Sequence, residues 1–457
     1  MNEKHAPNLA EEIEPVIGSG ICIGCGACAF SSDGAIEMRR NLDGACEAAV
    51  LDREKALSVP GGICPFSDHA PNEDSHGLRL FGDAPIHHDA LGYARATWAG
   101  FCVESDYRAN GSSGGITTWF AAEALRAGLV DAVIHVHPQR DNVLFEYGIS
   151  RTIEDVQSGA KTRYYSVSFA SALQEVRDSG KRFALIGVPC FIKAARNLAL
   201  FDERINELMV LTIALICGHM KSPGFAESLA WQVGVSPDRI GNVNFRVKLD
   251  GKPAHQYGFS ATDKLSGVTK TKPMSSLSGR RWDGGYHRLK ACDYCDDVLG
   301  ETADVTFGDA WLQEFSRDPL GTNVIVARSD LAVKLLQSGG ERGALRLVPL
   351  TASTTASSQA GGLRDRREGL AYRLFLKDKG NQWRPVKRVK ANAEGITLIR
   401  KLNYQLRQIV RIRSAANSRI CKKLGVIWPY RVEMTFWHVS FRLMQIVEKR
   451  LTRHTGN

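Results

Sequence analysis

The sequence predicts an α/β fold in three parts: a small cysteine-rich module, a mostly parallel α/β domain and a basic helical tail. Helical and strand patterns alternate from about residue 94, which is typical of a mostly parallel sheet covered by helices on both faces. Three cysteines in one tight loop precede this region, and Lys and Arg dominate the chain after it. We therefore expect the parts to span residues 1–90, 91–390 and 391–457.

The N-terminal module is marked by the loop CIGCGACAFSSDGAI. Cys22, Cys25 and Cys28 have the C-x2-C-x2-C spacing of a bacterial ferredoxin, in which a fourth Cys precedes Pro. Ser32 stands where that Cys is expected, but a Cys–Pro pair occurs at Cys64. These four cysteines predict a ferredoxin-like 4Fe–4S site. A zinc site with four Cys ligands is the alternative, although zinc favours two paired C-x2-C knuckles.

The elements of the α/β domain are predicted from hydrophobic patterns: short apolar runs indicate buried strands, and apolar residues at helical spacing indicate helices. The predicted helices follow GSSGG in ITTWFAAEALRAGL, lie in ASALQEVRDSG, begin at Phe191 and lie in LAVKLLQSG. The predicted strands are VDAVIHVH, RFALIGV, ELMVLTIALIC, NVNFRV, ADVTFGD, TNVIVAR and ALRLVPL. The stretch TASTTASSQAGG is predicted to be a loop or linker.

A second group of cysteines lies within the α/β domain. Cys190 and Cys217 end two predicted strands, and Cys292 and Cys295 form a C-x2-C pair. Because the carboxyl ends of parallel strands meet at one edge of a sheet, these cysteines can form a second four-thiolate site. The alternative is that Cys190 and Cys217 are buried as small apolar residues. We expect the remaining cysteines, Cys46, Cys102 and Cys421, to be ordinary buried residues.

A glycine-rich sequence, GSSGG at residues 111–115, directly precedes a predicted helix. Small residues at a helix N-terminus let the backbone approach an anionic ligand, although many helices begin with Ser-Gly only as a cap. Lys161 and Arg163 could neutralise phosphates there, or be solvated. The chain contains no G-x-G-x-x-G, G-x-x-x-x-G-K-[ST] or H-E-x-x-H sequence, so the sequence does not support nicotinamide-binding, P-loop or zinc-protease chemistry.

The net charge of +10 is concentrated in the tail. Residues 371–457 contain 20 Lys and Arg against 4 Asp and Glu, so the rest of the chain has a balance of −6. A nucleic-acid partner is therefore not expected. The N-terminus is polar and no run of about 18 apolar residues occurs, so we expect no signal peptide, no membrane-spanning helix and a cytoplasmic location.

The tail contains two amphipathic stretches with apolar residues on one side and Lys and Arg on the other. One interpretation is that these stretches pack on the protein's own surface with their cations in solvent. The other is that the basic faces contact an anionic membrane surface at the inner face, or another protein. The apolar residues are Ile396, Ile399, Leu402, Leu406 and Ile409, then Val432, Phe436, Val439, Leu443 and Val447.

Several motifs in order resemble those of the coenzyme F420 hydrogenase/dehydrogenase beta-subunit family of iron–sulfur flavoproteins, which includes proteins like 7-hydroxymethyl chlorophyll a reductase. The resemblance covers about residues 20–375. SGAKTRYYS differs from the family's usual arrangement, and the basic tail lies outside the common core, as in members from bacterial polysaccharide loci. The motifs are CIGCGAC, SSGGITTWFAAEALRAGLVDAVI, SGAKTRYYSVS, ALIGVPCFIKAARNL, ICGHMKSPGF, NFRVK and KACDYCDDVLGETADVTFGDAW.

The resemblance implies FAD in the central domain and one or two 4Fe–4S clusters. It places Cys190, Cys217, Cys292 and Cys295 as ligands of the second cluster. The implied flavin contacts are Ser112, Ser113, Gly114, Gly115, Lys161 and Asp309.

The expected function is that of an iron–sulfur flavin-dependent oxidoreductase. Electrons would pass from a ferredoxin-like carrier or a reduced deazaflavin, through the clusters and FAD, to a small organic substrate. Two alternatives stay open, a non-catalytic electron-transfer subunit of a larger complex and a zinc-stapled interaction protein. Catalytic side chains are not assigned by the sequence.

Overall fold

The computed structural model describes residues 7–138 and 143–454. Residues 1–6, part of the polar N-terminus for which we expect no signal peptide, lie outside the described residues, as do the last three residues of the predicted tail. Within the described ranges, no helix is both long enough and apolar enough to cross a membrane.

Helices occupy all three parts of the chain. They are α1 (Leu9–Gly18), α2 (Ala27–Ser31), α3 (Arg53–Leu57), α4 (Glu73–Phe81), α5 (Tyr107–Asn110), α6 (Ile116–Arg126), α7 (Ile153–Ser158), α8 (Ala170–Ser179), α9 (Pro189–Leu198), α10 (Glu203–Leu208), α11 (Pro223–Val233), α12 (Asp330–Glu341), α13 (Ala352–Ser357), α14 (Ala360–Arg364), α15 (Leu370–Lys379), α16 (Leu398–Leu424) and α17 (Trp428–His454).

Strands form one large sheet and three small ones. They are β1 (Ile36–Arg40), β2 (Cys46–Val50), β3 (Ile86–His88), β4 (Gly92–Ala94), β5 (Ala96–Cys102), β6 (Ala132–Pro138), β7 (Phe145–Ser150), β8 (Phe183–Gly187), β9 (Met209–Leu215), β10 (Ile240–Val247), β11 (Gly258–Asp263), β12 (Thr269–Pro273), β13 (Val305–Asp309), β14 (Asn323–Ala327) and β15 (Leu345–Pro349).

The large sheet has eight strands in the order β15-β5-β14-β13-β9-β8-β6-β7. Its centre, β13-β9-β8-β6, is parallel, whereas β14, β5, β15 and β7 pair antiparallel with their neighbours. The predicted α/β fold is therefore confirmed, with a parallel centre and antiparallel outer strands. Each predicted strand is present, but β10 lies in a separate three-stranded antiparallel sheet with β11 and β12.

The two faces of the large sheet carry two different hydrophobic cores. On β8, Phe183 and Leu185 face one core, and Ala184 between them faces the other. This alternation follows from the two-residue period of side chains along a strand. The first core also contains Ile13 and Phe30 of the cysteine-rich module. The module and one face of the sheet thus share one continuous core.

The predicted linker at residues 351–362 is wrong, because helices α13 and α14 occupy it. Thr351 caps α13 by accepting a hydrogen bond from the Thr354 amide, which explains why a Ser/Thr-rich sequence begins a helix here. A π-helical turn, Asp365–Gly369, then continues directly into α15. The turn places two charged side chains, Asp365 and Arg366, in the interior.

Helices α16 and α17 form an antiparallel hairpin on the surface of the α/β domain, joined at Gly425 in the left-handed conformation (φ +68°). The hairpin packs through a small apolar cluster that includes Val410, Met434 and Phe441. The predicted apolar residues of α17, from Val432 to Val447, are instead exposed. Packing therefore buries the side of α17 opposite to these predicted apolar residues.

Candidate functional site

The four cysteines of the first predicted set line one cavity. Gly24 and Gly26 have φ of +77° and +93°, a conformation that favours glycine and turns the loop around the cavity. The cavity is otherwise apolar. Its lining comprises Cys22, Cys25, Cys28, Cys64, Ile13, Val16, Ile17, Ile23, Gly26, Ala27, Met38, Ala48 and Pro65. Ser32 is not in this lining, and its hydroxyl accepts a hydrogen bond from the Ile36 amide at 3.0 Å.

The chemistry of this donor set fits a four-thiolate metal group. Burial, together with the neighbouring Cys22, raises the pKa of the Cys25 thiol to about 12. A bound cation reverses that tendency and holds the ligands as thiolates. Among the described residues, no three His, Cys, Asp or Glu side chains converge on one metal-ion position. Ligands of a cubane cluster bind different iron atoms, so they surround a volume rather than a point.

Glu12, which the sequence did not single out, organises the loop before Cys64. Its buried carboxylate accepts hydrogen bonds from the amides of Gly62 and Cys64, both at 2.9 Å, and from Ile63 at 3.3 Å. Burial raises the pKa of this carboxyl. Three amide donors from successive residues fix the backbone that carries the fourth cysteine.

The second predicted set of cysteines is also brought together. Burial raises the pKa of the Cys190 thiol, and the nearby thiols of Cys295, Cys217 and Cys292 raise it further. Cys217 follows β9 as predicted, but Cys190 lies in the first turn of α9, since β8 ends at Gly187. The Met220 amide donates to the Cys292 sulfur at 3.2 Å.

The other three cysteines lie outside both sets. Cys102 and Cys421 are buried in separate apolar clusters. Burial raises the pKa of the Cys22 thiol and the nearby Cys46 adds to this shift, but Cys46 does not line the cavity.

A buried carboxylate, Asp365, holds the loop of the second set through arginines. Its oxygens accept from Arg288, Arg373 and Arg407 at 3.0, 3.0 and 3.1 Å, and from Arg366 at 3.3 Å. Burial acts to raise the pKa of Asp365, but the guanidinium groups more than reverse this and hold it well below the ordinary value.

The same arginines bind the backbone around the second cysteine set. Arg288 and Arg366 both donate to the Cys292 carbonyl, the latter at 2.9 Å. Arg366 also donates to the Gly218 carbonyl, next to Cys217. One carboxylate thus orders the guanidinium groups that position two of the four cysteine-bearing segments.

Aromatic side chains lie between the two cysteine sets. The Tyr147 ring stacks on Phe191 with centroids 5.8 Å apart, and Phe169 meets both rings edge-on at 6.1 and 5.5 Å. Phe191 follows Cys190 in sequence, and the Phe169 amide donates to the Cys25 carbonyl at 3.0 Å. Burial and the thiols of both Cys190 and Cys25 raise the pKa of Tyr147, which places this tyrosine between the two sets.

The glycine-rich sequence packs tightly against the sheet. A Cβ at Gly114 would lie 2.7 Å from Asn323 Oδ1 and 2.8 Å from the Gly100 carbonyl, and Gly115 has φ +81°. Ser113 donates to the Thr322 carbonyl at 3.1 Å. Packing within the protein therefore explains the small residues at positions 113–115. Their role as flavin contacts stays a prediction.

Ser112 instead lines a second cavity with Arg246, Lys248, Lys252 and Tyr257. Arg246 is 5% exposed and pairs with Asp309 at 2.6 Å. Its Nε and Nη2 are buried without a hydrogen-bond partner of good geometry among the described residues. Unpaired buried guanidinium donors at a cavity fit an anionic ligand, since such donors are costly unless they are satisfied.

Lys161 adds to the positive charge of this cavity. Burial lowers the pKa of the Lys161 ammonium, and the nearby Arg163 and Arg246 lower it further. Burial and neighbouring cations, Lys161 first among them, also lower the pKa of Lys248 to about 8. The sequence analysis missed Arg246 and Lys248. The available signal was their spacing of two residues, with Arg246 in the predicted strand NVNFRV and Lys248 directly after it.

Two ring contacts lead from the neighbourhood of the basic cavity toward the second cysteine set. Tyr164, near Arg246, lies 4.5 Å from the Trp282 ring, measured between centroids. Trp282 stacks on His219 at 4.1 Å with an interplanar angle of 18°. His219 is two residues beyond Cys217. A series of ring contacts thus leads from the neighbourhood of Arg246 to His219, close to Cys217.

We expect Asp365→Asn to lower the free energy of unfolding by about 3–5 kcal/mol, because the change leaves buried guanidinium groups without their counter-charge. The measurement is urea unfolding followed by circular dichroism. Asp378→Asn, which breaks an exposed pair with Arg384, is the matched control, with an expected loss of about 0–1 kcal/mol.

The same prediction has a pH dependence. The pKa of Asp365 is lowered, so its stabilising contribution is present above about pH 4 and is lost as the pH falls further. The difference in free energy of unfolding between Asp365→Asn and the unmodified protein should become smaller below about pH 4. Equal losses for the two variants at neutral pH would contradict the role of Asp365.

Comparison with known proteins points to the same family that the sequence motifs resemble. Two family models of the coenzyme F420 hydrogenase/dehydrogenase beta subunit match the chain, the N-terminal one over residues 97–174 and the C-terminal one over residues 180–353. The structure resembles a chain of the F420-reducing [NiFe] hydrogenase complex from Methanosarcina barkeri. The TM-score is 0.50 at 16% identity, with 66% of this chain and 98% of that chain covered, which supports the fold alone.

Two curated relatives extend the match. The F subunit of the F(420)H(2) dehydrogenase of Methanosarcina mazei is 25% identical over 329 residues, 69% of this chain and 83% of the relative. The beta subunit of the coenzyme F420 hydrogenase of Methanothermobacter thermautotrophicus is 20% identical over 243 residues, 52% of this chain and 78% of the relative. The two family models together span more than half of the sequence, so the chain belongs to the coenzyme F420 hydrogenase/dehydrogenase beta-subunit family.

Proposed function

We propose that this protein is an iron–sulfur flavin-dependent oxidoreductase with two 4Fe–4S clusters and one FAD. The observation that carries the proposal is the gathering of eight buried or half-buried cysteines into two sets with aromatic side chains between them. Cys22, Cys25, Cys28 and Cys64 would hold the first cluster, and Cys190, Cys217, Cys292 and Cys295 the second. Clusters exchange single electrons, and a flavin joins one-electron to two-electron chemistry.

The protein's own residues have separable roles in this proposal. Glu12 and Asp365 position the cysteine loops through backbone amides and arginines. Tyr147, with its aromatic neighbours, excludes water between the two sets and keeps them close. Arg246, with Ser112 and the nearby lysines, would bind the anionic part of FAD, and Asp309 orients the Arg246 guanidinium.

The electron donor is proposed to be a reduced deazaflavin or a ferredoxin-like carrier, and the acceptor a small organic substrate. The names of both curated relatives refer to coenzyme F420, which supports the first donor. The relatives are named as subunits, which supports a second candidate function, electron transfer within a larger complex. Flavin-dependent reduction of an artificial acceptor by the isolated chain would favour the function as an enzyme. Failure to reduce the acceptor would favour the function as an electron-transfer subunit.

Metal analysis tests the cluster sites separately. Anaerobically purified protein should contain about eight iron and eight sulfide per chain, as two 4Fe–4S clusters require. Cys64→Ser and Cys292→Ser should each lose about four iron, because each removes one ligand of a different cluster. Cys421→Ser, at a buried cysteine outside both sets, is the control and should keep all the iron.

Zinc without iron in the same assay would instead support the zinc-stapled interaction protein. Loss of iron from only one of the two ligand variants would reduce the proposal to a single cluster.

FAD binding tests the basic cavity. Arg246→Gln should weaken FAD affinity by at least about tenfold, because a charge-assisted contact to a buried cation is removed. The measurement is fluorescence titration of flavin-depleted protein with FAD. Arg239→Gln, on a partly exposed arginine that pairs with Asp263, is the control. Equal FAD affinity for Arg246→Gln and the control would exclude this cavity as the flavin site.

A further inference from the structure

The C-terminal hairpin carries a continuous exposed apolar surface. Of the 26 large apolar side chains that are exposed in the described part of the chain, 14 lie between Leu398 and Val447. The others are spread over the remaining described ranges. A contiguous apolar surface of this extent marks an interaction site, whereas scattered single residues do not. The 14 residues, here called the apolar stripe, are Leu398, Leu402, Ile409, Ile412, Ile420, Leu424, Val426, Trp428, Val432, Phe436, Val439, Leu443, Ile446 and Val447.

The stripe runs along the side of each helix that faces away from the protein. On α17, Trp428, Val432, Phe436, Val439 and Leu443 follow one another at intervals of three or four residues, which places them on one helical face. The residues that pack on the protein lie on the opposite face. These inward residues are Tyr430, Met434 and Phe441. A helix of 27 residues is about 40 Å long, so each helix presents an extended apolar face.

The charge of the hairpin is strongly one-sided. Residues 398–454 contain 13 Lys and Arg against two acidic residues, Glu433 and Glu448. Both carboxylates are turned toward the partner helix, where they pair with Arg413 at 2.7 Å and Arg400 at 2.8 Å. No acidic side chain of the described hairpin is therefore left to face outward with the stripe.

Exposed cations flank the stripe. Lys423, Arg431 and Arg442 are exposed, and each lies three residues after a member of the stripe. Within the described residues, none of the three takes part in a salt bridge. The inner arginines differ, since Arg411 and Arg419 pair with Asp293 and Asp43 of the preceding parts. The hairpin thus has exposed cations beside the apolar stripe and ion-paired arginines on the face that packs against the protein.

We propose that the hairpin binds an anionic membrane surface, with the apolar stripe at the boundary between headgroups and acyl chains. An apolar face edged by Lys and Arg and carrying Trp, Phe and Leu is the pattern of helices that lie in the membrane interface. Anionic headgroups attract such cations. A second copy of the hairpin would instead bring like charges together. This proposal is independent of the proposed redox function, and its failure would leave that function unchanged.

The test is cosedimentation of the full cofactor-loaded chain with vesicles. Phosphatidylglycerol vesicles should bind the protein at least about tenfold more strongly than phosphatidylcholine vesicles, and high salt should weaken the binding. A Phe436→Asp, Leu443→Asp double variant should lose at least about tenfold in binding, because two apolar side chains no longer enter the interface. Arg431→Gln with Arg442→Gln should reduce binding to the anionic vesicles alone.

A Leu42→Asp, Leu265→Asp double variant is the matched control, since both residues are exposed but lie outside the hairpin. It should bind vesicles like the unmodified protein. Circular dichroism and iron content identify a variant that has failed to fold. Absence of binding by the unmodified chain, or full binding by the Phe436/Leu443 variant, overturns the proposal. A vesicle-free dimer that the same variant converts to a monomer, measured by light scattering, also overturns it and assigns the stripe to a second copy.

Discussion

The pairing of one buried carboxylate, Asp365, with four guanidinium groups is the constraint on which the rest of this structure depends. A buried charge is tolerated only when it is paired and hydrogen-bonded, so Arg288, Arg366, Arg373 and Arg407 must reach it together. These arginines come from the loop of the second cysteine set, from the π-helical turn, from α15 and from α16. The ion cluster therefore forms only when the α/β domain and the tail are both in place.

This constraint also explains the uneven charge of the chain. The tail has an excess of cations, and the preceding parts have an excess of acidic residues. Tail arginines form ion pairs with acidic residues of the preceding parts. Arg407, Arg411 and Arg419 pair with Asp365, Asp293 and Asp43. The interpretation in which the tail packs on the protein's own surface is correct for this inner face, except that its arginines are ion-paired rather than left in solvent.

The arrangement of the two cores places the two cysteine sets near one another. The cysteine-rich module and one face of the large sheet share a single hydrophobic core, so the loop with Cys25 and the start of α9 with Cys190 approach the same aromatic residues. Under the proposed function, this shared core would keep the two clusters close to one another. Ring contacts of Tyr164, Trp282 and His219 lead from the basic cavity toward the second cysteine set.

The sequence by itself determined the local chemistry: the two cysteine patterns, the strands of the parallel centre and the glycine-rich helix start. Cysteine spacing and hydrophobic periodicity are patterns of a few neighbouring residues, so they can be recognised without knowledge of the tertiary structure. Only the tertiary structure decided that Glu12 holds the Cys64 loop, that Arg246 is buried with unpaired donors, and that the apolar stripe of α17 faces outward. Each depends on partners far away in sequence, since a helical pattern defines a face but not what covers it.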